Sequence, residues 1–493
     1  MATRFVNVDR ETPLLFPPDL RDWVREDDLV HFVLDAVESV SLQQFLVNRR
    51  GSGSEQYPPQ MMLALLIYSY ATGTFSSRAI EGLTYSHIAV RYLCANTHPD
   101  HDTICRFRRD NKAVLEETFV RVLELASELK LSKVGTVAID GTKVAANASK
   151  HSAVSYGRAG ELVERLQLEV ETLLAKAEGA DQVPLQDGLS IPEEIARRQE
   201  RQEKLREARR VIEARARVQH QEEQQEYEAK MARREDKRER GEVVRGAVPQ
   251  PPSSEVPAKS QYNFTDPESR IMKAGNGDHF EQAYNAQLAV CTDSLLIVGQ
   301  RVGNATNDKQ ALQPTVESIP ASLGRPATVI VDAGYFSEPQ IRGVEGTTVA
   351  STDAAGKTDE AGKTDEAGER DAAGDGAEPE STTLVYAAVG RISHARKLSE
   401  FEAHPDPAMP PEGAPFPEQM QYRISTAQGK AIYKLRKQTV EPVIGIIKHV
   451  LGFRRFSMRG EAKASLEWTL VSLAWNMKRL HTLGMGAKMP KMA

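Results

Sequence analysis

The sequence predicts an α/β protein: a mixed sheet flanked by helices, preceded by an all-helical N-terminal region and interrupted by a long charged helical insertion. Three observations carry this. The first 130 residues hold apolar stretches at helical spacing. Two β-branched apolar runs, Val134–Val144 (VGTVAIDGTKV) and Ala327–Asp332 (ATVIVD), each reach a carboxylate. Residues 161–240 are rich in Glu, Arg, Gln and Ala, and from Glu193 onward poor in aliphatics, the composition of solvated helices.

Taken in order, helices are expected near 20–46, 57–72, 77–93 and 101–129, separated by turn signals such as Gly51-Ser-Gly-Ser and Tyr57-Pro-Pro, with Asp102 or Thr103 capping the last. The first strand should deliver Asp140 at or near its end. Residues 161–240, broken near Pro184–Pro192, read as a helical hairpin or coiled-coil arm, as one long helix, or as partly disordered. Pro249–Pro257 marks a linker. Tyr284–Val302 has the pattern of two adjacent strands around Thr292-Asp293-Ser294, followed by a helix over Lys309–Ser318 and the strand ending at Asp332. Between 351 and 380, ten acids face three bases. That segment repeats AGKTDE, but Ser351 and Lys357 stand where a phosphate-binding loop needs its earlier glycine, so a mobile acidic insertion is expected. Helical periodicity returns at Gln428–Val450 and Lys463–Leu480.

The chain has 493 residues, 40% hydrophobic and 27% charged, enough for two or three domains and incompatible with a wholly disordered or fibrous protein. Its longest apolar run, Met61–Ala71, is too short to span a bilayer, and the first twenty residues mix charges and prolines, so a cytoplasmic location is expected. Three cysteines without a C-x-x-C pair argue against a disulfide framework and a zinc ribbon. The net charge of −6 hides a sharp asymmetry: Gln421–Ala493 carries 14 Lys and Arg against three acids, the balance of a nucleic-acid-binding surface.

Chemistry is expected at three carboxylates: Asp140 and Asp332 on strands, and Glu441 inside a basic helix. Small residues follow both aspartates (Gly141-Thr142 and Ala333-Gly334), leaving room for a metal or phosphate to approach the backbone. Taken alone, Glu441 is also explained as an i,i+4 partner of Lys437. Scattered carboxylate oxygens suit Mg²⁺ or Mn²⁺, and two such ions serve in-line phosphodiester displacement.

These residues resemble the DDE-type insertion-sequence transposases, whose catalytic domain is RNase H-like. The segment Tyr433-Lys-Leu-Arg436-Lys437-Gln-Thr-Val-Glu441-Pro-Val-Ile-Gly-Ile-Ile-Lys448 resembles the family's Tyr-Arg-Glu-Lys signature, and Gly452-Phe-Arg454-Arg455-Phe456 with Met458-Arg459-Gly460 follows it. Ala138-Ile-Asp140-Gly-Thr-Lys-Val-Ala-Ala-Asn147 is similar to the first aspartate motif and Val329-Ile-Val-Asp332-Ala-Gly-Tyr335 to the second. Tyr57-Pro-Pro59, Ser76-Ser77-Arg78 and the run Pro99 to Arg108 resemble the InsH-type N-terminal domain. One departure is that four residues, where three are usual, separate Arg436 from Glu441; Lys437 is the other candidate for the arginine's role.

The resemblance implies a DNA transposase that cleaves phosphodiesters and transfers strands, with a metal-dependent nuclease or an inactive DNA-binding relic as alternatives. It implies Asp140, Asp332 and Glu441 as ligands of two Mg²⁺ or Mn²⁺ ions. Tyr433, Arg436, Lys437 and Lys448 would contact end phosphates, Arg454, Arg455 and Arg459 further backbone, and Arg106, Arg108 and Arg109 the element ends. Double-stranded DNA, a homodimer assembled on it, and a prokaryotic, nucleoid-associated setting are the expected partners and place. The expected layout is a helical DNA-binding domain over 1–130, catalytic segments at 131–155, 261–345 and 386–493, a charged helical insertion at 156–260 and an acidic one at 346–385.

Overall fold

Apolar periodicity makes helices α1 (Leu29–Glu38), α2 (Pro59–Ala71), α3 (Ser77–Ser86), α4 (Ile88–Leu93), α5 (His101–Asp110) and α6 (Lys112–Glu128) of the N-terminal region. The structure, a computed structural model, describes residues 19–38, 40–47, 56–178, 190–241, 244, 247–274, 279–346, 383–390, 406–411 and 413–484. The single helix expected over 20–46 is divided: a short turn at Leu20–Trp23 precedes α1 and another at Leu42–Gln44 follows it, each opened by a side-chain cap, Asp19 and Ser41. In α2 every residue from Met62 to Ala71 is buried, as expected of a helix apolar all round. The cap of α5 is neither Asp102 nor Thr103. Asp100, in extended backbone after Pro99, accepts from the Thr103 amide at 2.8 Å and leaves both candidates in the first turn.

Onward, the chain runs β1 (Thr136–Ala145), β2 (Ala153–Ser155), α7 (Tyr156–Glu178), α8 (Ile191–Glu239), β3 (Gln261–Asn263), β4 (Arg270–Ala274), β5 (His279–Cys291), β6 (Ile297–Gly303), α9 (Leu312–Glu317), β7 (Thr328–Val331), α10 (Glu338–Glu345), β8 (Leu384–Ala387), α11 (Phe416–Ser425), α12 (Ala427–Gly445) and α13 (Glu461–Thr482). It divides into two units. One takes in the described residues up to Thr142, from Asn285 to Ser457 and from Ala462 onward; the other holds 143–284 and 458–461.

The main sheet has the order β4-β5-β1-β7-β8, with β6 also paired to β5. Strands β1, β7 and β8 run parallel. Strand β5 lies antiparallel to β6, and to β1 through the Thr292 amide on the Thr136 carbonyl at 3.0 Å. Asp140 sits within β1, which continues beyond it to Ala145. In the first unit, α13 docks on this sheet by saturating backbone groups. Trp468 donates to the Gln287 carbonyl at 3.0 Å, and Asn476 bonds both the amide and the carbonyl of Ile297 at 2.8 Å. The N-terminal helices share that core, since the Tyr70 hydroxyl on α2 donates to Glu467 on α13 at 3.0 Å.

In the second unit, α7 and α8 form a hairpin. Leu166 packs with Leu205 and Ala208, Arg198 pairs with Glu169 at 3.0 Å, and the Tyr156 hydroxyl reaches Glu213 at 2.7 Å. The near-balance of charge resolves into i,i+4 pairs such as Lys204–Glu200 and Lys230–Glu226. The acidic segment 351–380 lies outside the described residues. Among the described residues no helix is long and apolar enough to cross a membrane.

Candidate active site

The β1/β7 ladder sets the geometry. Thr136 faces Thr328, Val137 faces Val329 and Ala138 faces Ile330, so the same register carried onward puts Asp140 beside Asp332 on neighbouring parallel strands, which lie about 4.8 Å apart. Each aspartate bonds the backbone just after it: Asp140 accepts from the Gly141 amide at 2.8 Å, and Asp332 from the Gly334 amide at 2.7 Å, capping the turn Ala333–Tyr335.

Glu441 arrives on α12, and Arg436 joins it to the strands. One guanidinium nitrogen stands 3.3 Å from Asp140 and the other 2.8 Å from Glu441. Thus the cation paired with Glu441 is Arg436, not Lys437, which is exposed. The helix is α over both residues, although Pro442, which has no N–H, cannot donate to the Gln438 carbonyl; a π turn follows at Ile446–Val450. Lys448, within that turn, donates to Thr142 at 2.9 Å and so also faces β1.

Electrostatics mark the cluster. Burial, then the charge of Asp332, push the Asp140 carboxyl up to about 7; Arg436 opposes them and Glu441 adds to them. The Tyr433 phenol is raised by burial, with Arg436 opposing. Burial and the charges of Asp140, Asp308 and Asp332 hold the Tyr335 phenol well above its usual value.

This donor set, oxygen only and incompletely neutralised by one guanidinium, fits a hard divalent cation in its chemistry. Among the described residues no three His, Cys, Asp or Glu side chains stand arranged to hold a metal, and Arg436 lies between two of the three acids.

The remaining basic residues separate sharply. Arg454 and Arg455 are exposed; Arg454 donates to the Lys448 carbonyl at 3.1 Å and contacts His449 at 3.0 Å. Arg459, in the second unit, donates to the Asn147 carbonyl at 3.1 Å. Arg106 and Arg109 are exposed on α5. Arg108 is not with them: it is 3% exposed, donates to Tyr70 at 2.5 Å and lies 3.6 Å from Glu467, so its guanidinium faces the core. Sequence reasoning passed over Asp308 and Gln287, which meet near the aspartates, and assigned Tyr335 no role.

Two family models match the chain. One, described as Transposase DDE domain, covers residues 253–477; the other, described as Transposase domain (DUF772), covers 18–110. No curated protein and no solved structure matches it. The DDE match contains Asp332 and Glu441. Asp140 precedes it, on a strand that pairs between β5 and β7. A DDE domain implies an RNase H-like fold, DNA as partner and dependence on divalent metal ions. The mixed sheet, its flanking helices and the two matches together make this chain a member of the DDE-type insertion-sequence transposases, enzymes that cleave DNA and transfer its strands.

Proposed function

We propose that Asp140, Asp332 and Glu441 are the catalytic carboxylates of this transposase and would hold two divalent ions, Mg²⁺ or Mn²⁺. The reading rests on one observation: the strand register sets Asp140 beside Asp332, while Arg436 ties Asp140 to Glu441. Ions bound there would offset the negative charge that grows on the attacking and leaving oxygens. Water attacks one phosphodiester and frees a 3′ hydroxyl; that hydroxyl then attacks target DNA, and no covalent enzyme intermediate forms.

The protein's own bases handle the backbone. Arg436 presents a planar fork suited to phosphate. Lys448, held by Thr142, and the half-buried Tyr433 flank it, while Lys437, Arg454, Arg455 and Arg459 supply exposed contacts that position DNA without reading it. Arg106 and Arg109 on α5 face the element ends, within an N-terminal domain over 1–130. Residues 131–155, 261–345 and 386–493 form the catalytic domain, and the 156–260 arm serves assembly of a homodimer on DNA. The test is Asp140→Asn, Asp332→Asn and Glu441→Gln, each incubated with element ends and Mg²⁺ or Mn²⁺. Each should lose cleavage and joining while keeping end binding; near-normal cleavage by any variant removes that residue from the site.

A further inference from the structure

A buried glutamine links the two aspartate-bearing segments. Gln287 on β5 is 2% exposed, and a buried amide is costly unless its groups are paired. Its Nε2 donates to the Asp308 carboxylate at 2.9 Å, and its Oε1 accepts from the Tyr335 hydroxyl. The amide has one consistent orientation, because a carboxylate only accepts and the nitrogen must face it. Asn285, two residues earlier on the strand, donates to the same Asp308 oxygen at 2.6 Å and fixes the far end of the chain. The glutamine's own carbonyl is held by Trp468 at 3.0 Å.

The glutamine and one of its two partners reach backbone adjoining the proposed catalytic acids. The Gln287 amide packs against Gly141, where any side chain would collide with it, and Gly141 is the residue whose amide N–H donates to Asp140. Tyr335, fully buried, closes the turn that Asp332 caps. Gln287 and its bond to Tyr335 therefore link the backbone beside Asp140 to the turn beginning at Asp332, and Asp308 anchors the glutamine between them.

We propose that Gln287 is a positioning residue, anchored by Asp308 and Tyr335, that fixes the separation of Asp140 and Asp332 and so sets how tightly the pair takes a divalent ion. This rests on the carboxylate reading above. Outer partners that orient metal ligands typically contribute about 10- to 100-fold to affinity. The glutamine does not touch DNA or metal; it acts through the two strands.

The experiment uses the full-length protein with Mn²⁺ as probe. Its binding is followed by electron paramagnetic resonance without DNA, and cleavage is followed against Mn²⁺ concentration. Gln287→Leu keeps the volume and removes both bonds; Tyr335→Phe removes only one hydroxyl and keeps the protein folded should the leucine variant fail. The expected result is Mn²⁺ affinity lowered about tenfold or more in Gln287→Leu and less in Tyr335→Phe. End binding should stay unchanged, and cleavage should return toward the wild-type maximum at high Mn²⁺. Folded variants with wild-type Mn²⁺ affinity and metal dependence would overturn the proposal and leave the carboxylate reading standing. Asp332→Asn is the control for that reading: if it binds Mn²⁺ as the wild type does, both fall together.

Discussion

Arg436 and Asp140, 296 residues apart in the sequence, meet at 3.3 Å. The same guanidinium holds Glu441, so one cation from α12 bridges two acids carried by different elements. The acids a cation would need are thus already partnered within the protein, and the partner is a residue whose geometry suits phosphate.

Arg436→Gln should accordingly have opposite effects on two measurements. Mn²⁺ affinity of the DNA-free protein should rise roughly tenfold, because a positive charge in direct contact with two of the acids is removed from a partly buried setting. DNA cleavage should fall. Unchanged Mn²⁺ binding by calorimetry would mean that the guanidinium does not compete for the acids.

Arginines of α5 should divide by burial. Arg108→Ala leaves Glu467 buried without its cation and should cost about 3–5 kcal/mol, read as a lowered midpoint of denaturant unfolding. Arg106→Ala and Arg109→Ala should leave that midpoint nearly unchanged and weaken end binding. Equal midpoints for all three would refute the buried role of Arg108.

Salt dependence reports phosphate contacts, each adding about −0.9 to the slope of log affinity against log salt. Replacing Arg454 and Arg455 with Ala should flatten that slope by up to about two units. Arg459, engaged by the Asn147 carbonyl, should contribute less when replaced alone. A slope unaffected by the pair would route DNA elsewhere.

Helix α8 alone has 49 residues, about 70 Å at 1.5 Å per residue, and several of its side-chain charges pair along its own length. Removal of 161–240 should impair the complex of two ends more than binding of one, seen as loss of the slower band in a gel-shift titration. Equal losses in both bands would exclude an assembly role.

Much of this was legible in the residue order, for identifiable reasons. Thr328–Val331 is a β-branched apolar run, and such a run ending in Asp332 announces a buried strand with a carboxylate at its end. The three arginines of α5 look alike in a list. Their helical spacing separates them, because Arg108 shares the face of buried Ile104, four residues earlier. Gln287 and Asp308 carried no such signal: their partnership joins a strand to the loop that follows the next strand, and no local pattern encodes such a tertiary neighbour. Likewise Arg436 and Lys437 are adjacent bases, and only the direction in which α12 presents them distinguishes the one that reaches Asp140.

The pairing of β1 with β5 bears on how this chain came by its length. The chain between Ala146 and Gln282 starts and ends on hydrogen-bonded neighbours, with the Ala146 amide on the Gln282 carbonyl at 2.8 Å. An insertion whose two ends are already side by side demands almost no closure entropy from its host, and a hairpin turn of a few residues would serve the same join. A change in the length of the arm thus needs no change in the strands at its two ends.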